Sequence, residues 1–155
     1  MEEAPSARPV VQSYLPITRP EGYFTMDSGG LGYGMPASVG VALAKPDEKV
    51  IALIGDGSAM YSIQALWTAA QLRLPITFII LNNRRYAALQ DFAPQFGYAA
   101  EEQVKGSDLC NIDFVSLAQG QGCAALRVDD PVNLEASMRN ALDSSIPMLL
   151  ECEVV

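Results

Sequence analysis

Two short polar groups in the sequence could together hold a metal ion and a phosphorylated ligand. Gly55-Asp56-Gly57-Ser58 follows an apolar run at residues 50–54, and Asn82-Asn83 follows a second one at residues 76–81. A carboxylate oxygen of Asp56 and an amide oxygen of Asn83 are hard ligands of the kind that Mg²⁺ takes, usually beside substrate phosphates. The glycines on both sides of Asp56 allow a close approach to the backbone. The sequence therefore predicts a site for Mg²⁺ and a phosphorylated ligand.

The elements around these groups indicate how they come together. An amphipathic segment, Met60 to Leu72, lies between the two apolar runs, so the order is strand, loop, helix and strand. The crossover of such a βαβ unit is nearly always right-handed, and both polar groups then leave the carboxyl ends of parallel strands. Open α/β sheets bind their ligands at this edge. We therefore expect Asp56 and Asn83 to approach one point.

Each polar group also has a simpler interpretation on its own. Asp56 could end a strand and cap the following helix, while Asn82-Asn83 could form a turn. Ser58 could cap that helix or bind phosphate, and the sequence does not separate these two roles. A single Gly-Asp-Gly would favour the simpler interpretation, because short motifs often occur without function. The second polar pair at the end of the next strand favours a metal–diphosphate site.

Composition restricts the class of protein. The chain has 155 residues, enough for one domain with a core, and half of them are hydrophobic. Ten basic and eighteen acidic residues give a net charge of −8, so we expect neither nucleic acid nor an anionic membrane as a partner. The apolar run at residues 76–81 is far shorter than the ~20 residues of a membrane span. With no signal-peptide pattern and three cysteines without metal or redox spacing, we expect a cytoplasmic protein with reduced thiols.

The alternation of helical and strand patterns predicts an α/β fold, with an open parallel sheet in three layers and helices on both faces. Strands are expected at residues 23–26, 50–54, 76–81, 124–128 and 148–154. Helices are expected at residues 10–15, 36–43, 60–72, 112–119 and 132–142, and from residue 87. Residues 93–111 are predicted to form a loop. In the helix at 60–72, a stripe is expected to face the core: Met60, Ile63, Trp67 and Ala70.

These motifs resemble those of the thiamine diphosphate-dependent enzymes. The resemblance rests on the Gly-Asp-Gly and Asn-Asn pair, and it extends over Gly29 to Gly32, Gly55 to Gln71 and Asn82 to Leu89. Within that family these stretches are most similar to the benzoylformate decarboxylases. The similarity covers nearly the whole chain, but only the C-terminal, diphosphate-binding third of such an enzyme.

The resemblance implies roles for the residues of the predicted site. Asp56, the side chain of Asn83 and the backbone carbonyl of Arg85 would ligate Mg²⁺. The diphosphate would be held by backbone groups of four residues: Gly57, Ser58, Tyr86 and Ala87.

The resemblance also assigns the thiamine end of the cofactor. Leu31 matches a bulky residue that wedges between the two cofactor rings, and the carbonyl of Gly29 matches the partner of the aminopyrimidine. Without the second motif, the glycine-rich run at residues 29–34 would simply indicate a flexible turn. Pro5 stands where a hydroxyl residue is common near the diphosphate, so only Ser6 remains nearby.

The implied reaction is the non-oxidative decarboxylation of an aromatic 2-oxo acid to an aldehyde and CO₂. Members of the family take a glutamate and histidines for catalysis from a pyrimidine-binding domain, usually that of a neighbouring subunit. The present chain has no histidine, and we expect its pyrimidine-binding and central domains to be absent, with residues 1–22 a partial linker and 23–155 the thiamine diphosphate domain. We therefore expect no catalytic residue in this chain. A pyrimidine-binding domain or subunit would be its partner, in a homo-oligomeric full enzyme.

A partner of this kind would cover apolar surface, which we expect around Leu31, Met60 and Tyr86. Two other functions stay open. The chain could be the matching domain of an acetohydroxyacid synthase-like enzyme, which joins a second 2-oxo acid to the first. It could also be a non-catalytic homologue that keeps the fold as an interaction module. The stretch from Gly55 to Leu89 favours the decarboxylase, and the intact Asp56 argues against decay of the site.

Overall fold

In the part of the chain that the structure describes, five parallel strands form one sheet in the order β1-β2-β3-β5-β4. The computed structural model describes residues 1–99, 102 and 104–154. The strands are β1 (Glu2–Glu3), β2 (Val50–Gly55), β3 (Ile76–Asn82), β4 (Ala124–Val128) and β5 (Met148–Glu153). Because β3 and β5 lie inside the sheet, most of their residues are buried, as the continuous apolar runs of parallel strands predict.

Helices cover both faces of the sheet, which confirms the predicted three-layer α/β fold. They are α1 (Arg8–Tyr14), α2 (Gly34–Ala44), α3 (Asp56–Ala59), α4 (Ala65–Gln71), α5 (Ala87–Phe92), α6 (Phe114–Gly120) and α7 (Leu134–Asp143). Two 3₁₀ turns span Ala93–Phe96 and Pro131–Asn133. The main core joins α2, α4 and α6 to one face, whereas α7 packs on the other through Met138. Within the described residues, no helix has the length and apolar character needed to cross a membrane.

The predicted βαβ unit is present, and its register positions the site. Strands β2 and β3 are parallel neighbours from Val50 opposite Ile76 to Gly55 opposite Leu81. The residues that follow the two strands therefore leave the sheet at the same edge. The expectation that the Gly-Asp-Gly and Asn-Asn motifs meet there is confirmed at the level of the backbone.

The helix predicted over residues 60–72 is wrong in extent, and its predicted core stripe is right in part: Ile63 and Ala70 pack against the core, whereas Met60 and Trp67 are exposed. Residues 60–64 form turns, and the regular helix α4 begins only at Ala65. Its buried positions are Ala65, Leu66 and Ala69, whereas Trp67 is 57% exposed. The predicted stripe combined positions from the turn with positions from the helix, so its helical spacing did not describe one face.

Two predictions for the N-terminal region are also wrong. Glu2 and Glu3 form a strand where none was expected, paired with Leu53 and Ile54 of β2. The strand expected at residues 23–26 reduces to a single bridge between Glu2 and Thr25. A two-residue strand with charged side chains carries no alternating apolar pattern, and that explains why the sequence did not indicate it.

The remaining differences are small. The loop predicted at residues 93–111 contains the 3₁₀ turn Ala93–Phe96, and positions 100, 101 and 103 of that loop lie outside the described residues. The last strand ends at Glu153 rather than at residue 154.

Candidate functional site

Asp56 is the centre of the candidate site. It follows β2 directly, and only 4% of its surface is exposed. Its Oδ1 accepts a hydrogen bond from the Gly57 N–H at 2.7 Å, and its Oδ2 accepts one from the Arg84 N–H at 2.7 Å. Burial raises the pKa of the Asp56 carboxyl, and the backbone N–H groups around it offset only part of that rise. Among the described residues this buried carboxylate has no cationic side chain within ion-pair distance.

The turn after β3 wraps around this carboxylate. The N–H groups of Asn83, Arg84 and Arg85 all face Asp56. The side-chain oxygen of Asn83 accepts the Arg85 N–H at 3.2 Å, and Arg85 forms a single antiparallel bridge with Asp108. The structure thus brings together the residues that were predicted to ligate the metal.

The donor atoms at this point suit a hard cation. A carboxylate, an amide oxygen and a backbone carbonyl are oxygen ligands, which Mg²⁺ prefers over nitrogen or sulfur. No group of three or more Cys, Asp and Glu side chains in the described part of the chain could hold a metal ion. A cation at Asp56 would therefore need further ligands from the backbone or from a bound diphosphate. The buried Asp56 carboxylate, which has no cationic side chain beside it among the described residues, would itself be the charged ligand of such a cation.

Tyr86 closes the site above Gly57. A Cβ added at Gly57 would lie 2.2 Å from Cε1 of Tyr86, so the aromatic ring occupies the space where a larger residue would project. Burial raises the pKa of the Tyr86 hydroxyl, and the neighbouring Tyr61 and Asp56 raise it further. Ser58 is buried within α3, one turn that begins at Asp56, so Ser58 is not its N-cap residue.

Two of the N–H groups predicted to hold the diphosphate already have protein acceptors. The Gly57 N–H donates to Asp56, and the Tyr86 N–H donates to the carbonyl of Ser107 at 2.7 Å. Diphosphate binding at these two positions would exchange one acceptor for another. Ala87 begins helix α5 next to them.

The glycine-rich loop before α2 lies against the same site. Gly29 and Gly32 have φ angles of +73° and +95°, which a side chain would strain. A Cβ added at Gly32 would lie 2.8 Å from Cβ of Tyr61, the tyrosine next to Tyr86. Leu31 is half-buried and Gly29 is exposed. This run is therefore an ordered loop in contact with the site.

Sequence reasoning missed the residue that holds this loop. The fully buried carboxylate of Glu3 accepts hydrogen bonds from the Gly32 N–H at 2.5 Å and from the Gly34 N–H. Glu3 therefore joins the loop to the end of β1 and occupies the N-terminus of α2. The signal was weak, because two adjacent acidic residues near a chain end usually indicate a solvated segment.

Ser6 leaves the sheet at the same edge, after β1, with an exposed side chain. The segment lies close to the Gly-Asp-Gly motif, since a Cβ added at Gly55 would be 3.7 Å from the Ala4 Cα. A cavity of about 520 Å³ lies on the other side of the Asn-Asn turn. It is lined by Asn82, Arg84, Leu109, Cys110, Asn111, Ile112, Asp113, Arg127, Glu151 and Glu153. None of the ten predicted site residues lines this cavity.

The chain is similar to known proteins over most of its length. Residues 6–152 match the model of the family described as "Thiamine pyrophosphate enzyme, C-terminal TPP binding domain". Benzoylformate decarboxylase of Pseudomonas aeruginosa is 44% identical over 87% of this chain and 25% of that protein. The acetolactate synthase large subunit of Porphyra purpurea is 35% identical over 81% of this chain and 21% of that protein.

A solved structure confirms the fold independently. The crystal structure of benzoylformate decarboxylase from Polynucleobacter necessarius superposes with a TM-score of 0.93 at 30% sequence identity, over 99% of this chain and 29% of that one. The chain thus spans about a quarter of the length of the proteins that it matches. These similarities confirm the resemblance that was predicted from the sequence motifs.

Proposed function

Because the chain belongs to the thiamine pyrophosphate enzymes, as their C-terminal TPP-binding domain, we propose that it binds thiamine diphosphate and Mg²⁺ in an enzyme of the benzoylformate decarboxylase type. The observation that carries this proposal is the turn at residues 83–85, which wraps around the buried carboxylate of Asp56. A buried carboxylate without a cation is costly in a protein, and a bound metal ion would remove that cost.

Within this proposal each predicted residue keeps its role. Asp56, the Asn83 side chain and the Arg85 carbonyl ligate Mg²⁺. The diphosphate is held by backbone groups of Gly57, Ser58, Tyr86 and Ala87, with Ser6 nearby. Leu31 supports the bend between the two cofactor rings, and the carbonyl of Gly29 accepts a hydrogen bond from the aminopyrimidine.

The proposed reaction converts an aromatic 2-oxo acid to an aldehyde and CO₂. When bound, thiamine diphosphate would supply the carbon nucleophile, and it would accept the electron pair of the C–C bond that breaks as CO₂ leaves. This chain holds and orients the charged end of the cofactor. Catalytic acids and bases come from a pyrimidine-binding domain or subunit, because this chain contains no histidine. Residues 23–155 form most of the cofactor-binding domain in this proposal, and residues 1–22 belong to it as more than a linker, because Glu2 and Glu3 pair with β2 in the sheet.

The proposal includes a homo-oligomer and a cytoplasmic location. Apolar surface beside the site supports the first: Tyr61 and Trp67 are 59% and 57% exposed. Met60 is also exposed, while Leu31 and Tyr86 are half-buried, so the exposed apolar side chains are those of residues 60, 61 and 67 rather than Leu31 and Tyr86. Three free thiols, at Cys110, Cys123 and Cys152, support a reducing compartment.

A second candidate function is that of an acetolactate synthase. The 35% identity to the Porphyra purpurea large subunit favours it. Both candidates use the same cofactor, so cofactor binding does not separate them. Product analysis with a supplied pyrimidine-binding half does: an aldehyde supports the decarboxylase, and an acyloin supports the synthase. A reconstituted complex that binds cofactor and forms neither product would favour the non-catalytic module.

Calorimetric titration of thiamine diphosphate, with and without Mg²⁺, tests the cofactor site. We expect binding that depends on Mg²⁺ in the wild-type chain and is lost in Asp56→Ala, because the only carboxylate of the proposed metal site is removed. Asp47→Ala is the matched control, since Asp47 is exposed in the turn before β2, at the opposite edge of the sheet. Unchanged binding by Asp56→Ala would contradict the metal assignment. Absence of binding by the wild-type chain would contradict cofactor binding without the pyrimidine-binding half.

A further inference from the structure

A chain of hydrogen bonds runs from the Asp56 turn across the carboxyl edge of the sheet. The Arg84 N–H donates both to Oδ2 of Asp56 at 2.7 Å and to Oδ1 of Asn82 at 3.0 Å. The Asn82 side-chain amide donates to Oε1 of Glu151 at 2.8 Å, and Nε of Arg127 donates to Oε2 of Glu151 at 3.0 Å. The chain thus connects strands β3, β5 and β4 to the carboxylate of the proposed metal site.

The central pair of this chain is shielded from water. Glu151 is 1% exposed and Asn82 is 6% exposed. Ile80, two residues before Asn82, lies opposite Glu151 in the parallel register. Because buried polar groups need partners within the protein, the orientation of each group in this pair is determined by the other.

The chemistry of the carboxylate determines the orientation of the Asn82 amide. An ionised carboxylate only accepts hydrogen bonds, whereas an amide has a donating and an accepting end. The Asn82 nitrogen must therefore face Glu151, which leaves the Asn82 oxygen facing the Arg84 N–H. Arg127, which also pairs with Asp113 at 3.0 Å, balances the charge of Glu151.

The segment held in this way has an unfavourable backbone conformation. Arg84 has a φ angle of +60°, in the left-handed region that non-glycine residues rarely adopt. Such a conformation persists only where surrounding contacts hold it. Here the Arg84 carbonyl accepts the Leu109 N–H at 2.7 Å, and the Arg84 N–H has the two acceptors described above.

We propose that Glu151 is a positioning residue for the metal-binding turn. It fixes the Asn82 amide, the Asn82 oxygen holds the Arg84 N–H, and Arg84 in its left-handed conformation keeps Asn83 and Arg85 beside Asp56. The metal-binding part of this inference rests on the proposed function. The positioning of the turn does not, and it can be tested without the cofactor.

The first test is amide hydrogen exchange of the cofactor-free chain, followed by NMR. In Glu151→Gln a single side-chain oxygen remains, and the Arg127 cation takes it because hydrogen bonds from charged donors are the stronger ones. The new NH₂ group then faces Asn82, so the Asn82 side chain flips or loses its partner, and the Arg84 N–H loses one acceptor. We expect exchange at Arg84 to become about tenfold faster, the size expected for one hydrogen bond. Thr77→Val is the matched control: it removes a buried bond of 2.8 Å to the Ala141 carbonyl from the other end of β3, and Arg84 exchange should not change beyond its effect on global stability.

A second variant swaps the amide of Asn82 and the carboxylate of Glu151 between the two positions. Asn82→Asp combined with Glu151→Gln again places one amide opposite one carboxylate, with donor and acceptor reversed, while an oxygen still faces the Arg84 N–H. We expect this double variant to restore slow exchange at Arg84. If Glu151→Gln does not fold, comparison of the double variant with Asn82→Asp alone decides the same point. Equal Arg84 exchange in the wild type and Glu151→Gln, or no recovery in the double variant, would overturn the proposal.

The second test concerns the metal. Partners that orient a metal ligand typically change metal affinity by about 10–100-fold. We expect Glu151→Gln to need at least about tenfold more Mg²⁺ for half-maximal binding of thiamine diphosphate, whereas Thr77→Val needs the wild-type concentration. If the wild-type chain binds no cofactor while Arg84 exchange responds as expected, cofactor binding by this chain alone is contradicted and the positioning role stands. Unchanged Mg²⁺ dependence in a Glu151→Gln variant that binds cofactor would contradict the role in metal binding.

Discussion

A single methyl group at Gly57 tests how the site is closed. The Cβ added by Gly57→Ala would lie 2.2 Å from the Tyr86 ring, so the ring or the turn must move. Overpacking of this kind typically costs about 1–3 kcal/mol, and we expect that decrease in the free energy of unfolding, measured by urea denaturation. In a Tyr86→Ala background most of the cost should disappear, because the two changes share one contact. Equal costs in both backgrounds would show that the ring does not occupy this space.

The carboxyl group of Glu2 makes the stability of the protein depend on pH. Burial alone would raise the pKa of its carboxyl, but hydrogen bonds from the Ala4 N–H and from Arg8, Tyr23 and Thr25 outweigh it, and the pKa is lowered. Such a group stabilises the fold above its unfolded pKa, and the contribution is lost as the pH falls through the folded pKa. We expect Glu2→Gln to lower the free energy of unfolding by about 1.5–3 kcal/mol at neutral pH. The difference from the wild type should vanish in acid.

Urea denaturation at a series of pH values checks this prediction. Glu135→Gln is the control, because Glu135 is exposed and its ion pair with Arg139 lies on the surface, where such pairs contribute little. A constant difference between wild type and Glu2→Gln from neutral pH to acid would contradict the assignment.

The sequence was sufficient to predict that Asp56 and Asn83 meet at one edge of the sheet, but not the contacts around them. Asp56 and Asn83 could be grouped because each follows a strand of one βαβ unit, and the register of parallel strands then brings them to one edge. The Tyr86 ring over Gly57 and the hydrogen bonds of Glu3 could not be predicted. They depend on side-chain packing between segments that are distant in the chain, and no local pattern records it.

At the level of elements, the side chains that helix α4 buries differ from those that the hydrophobic pattern of the sequence predicted. Leu66 is fully buried, whereas Trp67 next to it is 57% exposed. We expect Leu66→Ala to lower the free energy of unfolding by about 2–5 kcal/mol, because it leaves a cavity in the core. Trp67→Ala should change it by less than about 0.5 kcal/mol. Denaturant titration of the two variants checks this, and a larger cost at Trp67 than at Leu66 would restore the predicted stripe.

The elements that could be predicted are those long enough to show a hydrophobic period in the sequence. Strands β2, β3, β4 and β5 lie within a residue or two of the apolar runs, and α6 and α7 are close to their predicted bounds. Strand β1 and the break at residues 60–64 were missed. The first has only two residues, and the second depends on how the Gly-Asp-Gly turn leads into the helix, which periodicity does not describe.

For the whole molecule, exposed apolar side chains predict association. Tyr61 and Trp67 lie exposed beside the proposed site, and Val10 and Tyr14 are exposed on α1. Where such exposed apolar side chains form a patch, the patch usually marks an interface. We expect sedimentation analysis to find dimers or a complex with a pyrimidine-binding partner, and Trp67→Glu to weaken that association. A strictly monodisperse wild-type monomer, with or without the partner, would contradict this prediction.

The strand order has a consequence for how the protein reaches its fold. Strand β5 follows β3 and β4 in the sequence, yet it pairs with β3 on one side and β4 on the other. During synthesis, β3 therefore has an open edge and β4 has no partner strand until β5 emerges from the ribosome. Non-local parallel pairing of this kind is slow and exposes strand edges. The interval before β5 inserts is thus when the chain is most prone to aggregate and most dependent on chaperones.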